Sequence, residues 1–125
     1  MGELKMGELK IDTAVISAAR AEGSAVIAEI RGDIDLHNSP DLRSAILQML
    51  QQAKPTKLIL NVTQVPYMDS SAIAVLVESL RKMRACGGKL FLIGPQPRVK
   101  SVLEIARLDT LFFVVNDEAA ALNAK

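Results

Sequence analysis

The apolar positions of the chain change period several times. Over residues 11–34 they come in short β-branched runs interrupted by Glu22-Gly23-Ser24. That pattern predicts two strands joined by a tight turn, the second ending near Gly32. The period then lengthens. Leu42, Ile46, Met49 and Leu50 share one helical face behind Ser39-Pro40-Asp41. An N-cap at Ser39, a proline at the first helical position and an acid in the first turn predict a helix reaching about Gln52. Pro55 stops it, and KLILNV at 57–62 is a short apolar run of the kind that makes a strand covered on both faces. Beyond Pro66 a second helical stripe appears, Ile73, Leu76, Val77, Leu80 and Met83, ended by Gly87-Gly88. The cations Arg81, Lys82, Arg84, Arg98, Lys100 and Arg107 read as the solvated faces of this helix and the next. KLFLIG at 89–94 repeats the buried-strand pattern, and Val99, Val102, Leu103 and Ala106 mark a third helix. LFFVV at 111–115 reads as a last short strand. Asn116, followed by two acids, opens a terminal helix.

The order is β-β-α-β-α-β-α-β-α. Strands alternating with helices imply an α/β fold: a mixed, mostly parallel sheet of about five strands with about four helices packed on it. In such sheets functional residues gather at the carboxyl ends of the strands, where loops lead into helices.

Composition narrows the picture. The 125 residues suit one domain, and because half of them are hydrophobic but only 3% aromatic, the core is aliphatic. A net charge of +1, one Tyr, three Phe and no Trp provide neither a steering field nor a stacking platform for nucleic acid. A single cysteine, Cys86, forms no intramolecular disulfide, which fits a reducing, intracellular location. Near a helix end, it reads as partly buried packing. No apolar run approaches the roughly 20 residues of a membrane span. The opening MGELKMGELK repeats five residues in tandem, so residues 1–10 are set apart as a disordered or added tail and the domain is taken as 11–125.

The densest chemistry lies at Tyr67 to Glu78, YMDSSAIAVLVE. Asp69, Ser70 and Ser71 stand before the second helical stripe, and capping needs only one of them. No capping box recruits the others, because Ile73 occupies the position where Glu or Gln would stand. A hydrolytic serine would need a base and an orienter. His37 is the one histidine and falls in a different loop, and Met68 and Ala72 replace the glycines of a nucleophile elbow around Ser70. Phosphate-cradling glycine loops and metal-ligand spacings are absent as well. What remains is a binding surface switched by modification. A phosphoserine brings a charge of about −1.5 to −2. A helix start tolerates that charge, whereas a partner packed against bare hydroxyls does not.

Three stretches resemble, in order, the diagnostic segments of the STAS domain, and more narrowly of the stand-alone bacterial anti-sigma factor antagonists. They are GDIDLHNSPDLR (32–43), LNVTQVPYMDSSAIAVLV (60–77) and GGKLFLIGPQPRVKSVLEIARLD (87–109). The likeness spans about Asp12 to Ala120, and Met68-Asp69-Ser70-Ser71 is its most specific part. The resemblance implies a cytoplasmic protein without enzymatic activity or cofactor, monomeric or weakly dimeric. It implies binding to an anti-sigma factor that is also a serine kinase of the histidine-kinase-like ATPase type, with release of a sigma factor. That kinase would phosphorylate Ser70 to switch the protein off, and a metal-dependent serine phosphatase would restore it. By the same likeness the partner-binding residues are Asp35, His37, Asn38, Ser39, Asp69, Ser71 and Ala72. A different use of the domain is a permanent, not necessarily phosphorylated, subunit of a larger signalling complex or of a lipid or anion transport assembly. Ala72 and Ala74 stand where the family pattern usually has glycine, and the methyl of Ala72 is expected to narrow a kinase's approach.

Overall fold

A computed structural model describes residues 7–9 and 13–124. Within them the elements run β1 (Gly7–Glu8), β2 (Ile16–Glu22), β3 (Ala25–Arg31), α1 (Ser39–Ala53), β4 (Lys57–Gln64), α2 (Ser70–Ala85), β5 (Lys89–Ile93), α3 (Pro97–Ile105), β6 (Phe113–Val115) and α4 (Glu118–Asn123). The sheet order is the chain order, β1 to β6. The first three strands pair antiparallel, and β3 through β6 pair parallel.

Sequential parallel neighbours linked by helices obey one crossover hand, which puts all the crossover helices on the same face. The core reflects this. Alternate residues of the central strands, Val26, Ala28, Ile30, Leu58, Leu60, Leu90 and Leu92, share one buried cluster with Leu42, Ile46 and Met49 of α1, Leu76 of α2, and Val99 and Leu103 of α3. The intervening residues Ala25, Ile27, Ile59, Phe91 and Ile93 form a second, smaller cluster with Ala121 of α4. A strand clad on both sides needs apolar residues at consecutive positions, which is why 58–60 and 90–93 lack alternation. Each buried Leu or Ile contributes roughly 1.5–3 kcal/mol.

The short α4 is tied to the second face by charge. Lys57 Nζ donates to the carbonyls of Ala121 at 2.8 Å and Leu122 at 2.9 Å, and to that of Ala124. A cation at a helix C-terminus satisfies carbonyls that the helix itself leaves unpaired. Arg20 of β2 pairs with Glu118 in the first turn of α4.

Several boundaries differ from expectation. The sequence reading set residues 1–10 aside, yet Gly7 and Glu8 pair with Ala21 and Arg20 of β2, and Leu9 is buried in the main core. The rest of the tandem repeat, the expected start of the first strand at 11–12, and residue 125 lie outside the described residues. Asn38, not Ser39, occupies the N-cap of α1, and Ser39 is buried in its first turn. The last strand begins at Phe113 rather than Leu111, and Asp117 rather than Asn116 caps α4, its side chain accepting from the Ala120 N–H at 2.8 Å. Cys86 is exposed at the end of α2 instead of packed, its thiol lying 3.4 Å from the carbonyl oxygens of Lys82 and Met83.

Candidate functional site

The loops after β3 and β4 do not part when the strands end. The Gly32 N–H donates to the Gln64 carbonyl at 2.9 Å, the Ile34 N–H to the Tyr67 carbonyl at 3.0 Å, and the Asp69 N–H to the Ile34 carbonyl at 3.0 Å. Ile34 and Met68 complete a parallel bridge, and both side chains are buried in the main core. This laced extension carries the segment following Ile34 up against the start of α2. It thereby juxtaposes two stretches more than thirty residues apart.

Asp69 is the hub. Its carboxylate accepts from the Ser71 N–H at 2.9 Å and the Ala72 N–H at 3.2 Å, which caps α2. The same oxygen, Oδ1, accepts from the Ser71 hydroxyl at 2.5 Å. Oδ2 accepts from the Leu36 N–H at 2.9 Å, across the gap between the loops. The Ser71 hydroxyl, followed by the backbone N–H groups of Ala72, Ser71 and Leu36, holds the Asp69 carboxyl below its usual range, while burial opposes the shift. These bonds answer why three oxygen-bearing residues precede one helix. Asp69 is the cap, Ser71 is spent on Asp69, and Ser70, exposed at the first helical position, makes no side-chain hydrogen bond among the described residues. Its hydroxyl is the uncommitted one.

The other loop is locked from within. Asp35 Oδ1 accepts from the His37 N–H at 2.9 Å and the Asn38 N–H at 3.4 Å, an Asx turn. Asn38 accepts the Asp35 N–H on Oδ1 at 2.8 Å and donates through Nδ2 to the Asp33 carbonyl at 2.9 Å. The side chain of Asn38 is therefore spent on the loop rather than on capping α1. His37 is exposed, and no histidine nitrogen meets Ser70 Oγ among the described residues.

Two of the expected contact residues have other places. Ser39 is 5% exposed and Ala72 0% exposed, so neither offers surface. The Ala72 methyl packs into the core, and the expectation that it narrows a partner's approach does not hold; it is Ala74 that faces out. Neighbouring features were not legible beforehand. Arg43 of α1 forms a two-pronged ion pair with Glu78 of α2 at 2.7 and 2.8 Å, and both line a groove that Ser71 also lines. The Arg98 guanidinium lies 4.8 Å from the centre of the Tyr67 ring. Arg and Glu at matching helix faces, or a cation near a tyrosine, are too common in sequence to have singled these out.

The bonds to Asp69 give a pH prediction. Its folded pKa lies below the unfolded value of about 3.9, so its contribution to stability is fully present above that value and is lost as pH falls through the lowered one. The melting temperature of the wild type should exceed that of Asp69→Asn at pH 6. The gap should close on titration from about pH 5 toward pH 2. A gap that is constant with pH would assign the difference to shape rather than charge.

Among the described residues no three His, Cys, Asp or Glu side chains converge as a metal site, and no helix is long and apolar enough to cross a membrane. Residues 16–121 match the STAS domain family. The chain is 25% identical over 95 residues to the anti-sigma F factor antagonist of Lysinibacillus sphaericus, covering 76% of this chain and 81% of that protein. It is 34% identical over 92 residues to the putative sulfate transporter YvdB of Bacillus subtilis, covering 74% of this chain but 17% of the transporter. The structure of the Bacillus cell fate determinant SpoIIAA in its phosphorylated form superposes with a TM-score of 0.64 at 24% identity, covering 80% of this chain and 90% of that one.

Proposed function

The chain belongs to the STAS domain family, and from that premise we propose that it is an anti-sigma factor antagonist. It binds an anti-sigma factor serine kinase of the histidine-kinase-like ATPase type, frees a sigma factor, and is switched off when Ser70 is phosphorylated. The docking surface is the carboxyl end of β3 and β4: the loop from Asp35 to Pro40 together with Asp69, Ser70 and Ser71. The observation that carries the proposal is the exposed hydroxyl of Ser70, without a partner among the described residues, beside a neighbour, Ser71, whose hydroxyl is already held. The similarity to a named antagonist over four-fifths of that protein supports the general role.

The division of labour follows from the chemistry. Ser70 Oγ supplies the nucleophile and the kinase supplies ATP, metal and base. The Oγ–phosphorus bond forms as the bond from the γ-phosphorus to the leaving ADP breaks, and the hydroxyl proton passes to the kinase's base. A metal-dependent serine phosphatase reverses the modification by hydrolysis. The protein itself contributes presentation rather than catalysis and works in the cytoplasm, where ATP and sigma factors are found.

Phosphate placement tests the reading. With ATP and a purified anti-sigma kinase from the same genome, tryptic mass spectrometry should place phosphate on Ser70. Ser70→Ala should abolish incorporation while Ser71→Ala retains most of it. Phosphate on Ser71 would overturn the assignment of the switch to Ser70, and none with any such kinase would shift support to the second reading, a STAS subunit of a larger assembly that is not phosphorylated. The identity shared with the transporter's STAS-sized portion favours that alternative.

A further inference from the structure

Leu36 is 75% exposed at the tip of the loop after β3. Among the described residues the other large exposed apolar side chains lie elsewhere: Ile105 at the end of α3, Leu111 in the connection after it, and Phe113 and Val114 on β6. Leu36 therefore stands by itself beyond the carboxyl ends of the strands, on the segment that Asp69 holds beside Ser70.

Its exposure is built rather than loose. The residues around it are braced by the Asp35 turn, by both ends of the Asn38 amide and by the bond from its own N–H to Asp69. A braced loop has already lost the backbone freedom that binding would otherwise remove, so an apolar tip on it contributes most of its transfer free energy to a complex. The surroundings give the partner's chemistry. Residues 32–41 carry three aspartates, Asp33, Asp35 and Asp41, and no lysine or arginine. Asp33 and Asp41 are exposed, and the nearest cation on α1, Arg43, is neutralised by Glu78.

We infer that Leu36 is the apolar anchor of the docking surface and that the partner receives it in an apolar pocket rimmed by basic side chains. This deepens the reading of the Ser70 surface given above and rests on it. Phosphorylation then acts beside an anchor that Asp69 fixes in place, so the charge at Ser70 obstructs the approach that would seat Leu36.

The test is titration calorimetry at two salt concentrations with the full-length anti-sigma factor that phosphorylates Ser70, in ADP. Leu36→Ala should melt with the wild type and bind roughly ten- to a hundredfold more weakly. Leu36→Met should restore most of the affinity. Asp33→Asn combined with Asp41→Asn should flatten the salt dependence of binding. Wild-type affinity in Leu36→Ala, while Ser70→Asp still abolishes binding, would overturn the anchor and leave the switch standing. An unchanged salt slope in the double variant would overturn the basic rim. Failure of every such anti-sigma factor to bind the wild-type chain would overturn the functional reading and the anchor with it.

Discussion

Ser70→Asp should lose binding to the anti-sigma kinase by a hundredfold or more while melting within a few degrees of the wild type. The two halves of this expectation have separate causes. Position 70 is the first residue of α2, where the N-terminal end of the helix dipole favours an acid by about 0.3–1 kcal/mol. The side chain is exposed and its hydroxyl satisfies no buried group, so its removal leaves nothing orphaned in the fold. A partner closing over the same point, its basic side chains engaged by Asp33 and Asp41, must instead desolvate a second carboxylate beside Asp69. That costs several kcal/mol, and each 1.4 kcal/mol is tenfold in affinity. Calorimetric melting and binding titration on one preparation decide the matter. Unimpaired binding would refute the switch, and a collapsed melting temperature would make Ser70 structural.

Leu76→Ala should do the reverse. Leu76 is fully buried on the inner face of α2, within the main core. Truncating it removes transfer free energy and leaves a cavity, for a loss of about 2–5 kcal/mol. Against a total of roughly 5–15 kcal/mol the variant stays folded in the cold and melts roughly 10 °C or more below the wild type. Nothing at the carboxyl ends of β3 and β4 is altered, so at 4 °C the folded fraction should bind the kinase as the wild type does. The pair of variants thus separates scaffold from switch: one changes the melting temperature alone, the other the affinity alone. If Leu76→Ala lost affinity while fully folded, α2 would have to be transmitting its packing to Ser70.

Much of the architecture is legible in the apolar pattern because the parallel half of the sheet is clad on both faces. The apolar runs at 58–60 and 90–93 permit no other economical placement, and the helical stripes before and between them fix α1 and α2. The N-terminal strand escaped because Gly7 and Glu8 have no pattern of their own; pairing with β2 gives them structure. The short Phe113–Val115 strand was located but overextended, since among the described residues it pairs with β5 alone and Leu111 lies in the turn before it.

The site was half legible. That Asp69, Ser70 and Ser71 exceed what one cap needs could be read from the sequence, but which hydroxyl the fold leaves free could not. A short polar side chain before a helix can turn to its own backbone, to a neighbour or to water, and only the bond from Ser71 to Asp69 decides it. Ala72 misled because a residue inside a contact motif looks like contact, whereas the helical period turns it inward. The exposure of Leu36 had no signal in the sequence, since a single leucine in a loop carries no period to place it; the bond from its N–H to Asp69 belongs to the fold alone. The order of the elements gave no hint that Arg43 and Glu78 would clasp across α1 and α2.

The lacing of the two loops beyond their strands has a consequence for how such a chain can vary in length. Because Gly32, Ile34 and Asp69 are stitched rung by rung to Gln64, Tyr67 and Ile34, one residue inserted at 32–34 or 65–68 would slide Leu36 past the carboxylate that holds it. Insertions and deletions should be accepted in the hairpin around Gly23 and in the connection between α3 and β6. At the two stitched crossings they should be rejected, or appear only in matched pairs.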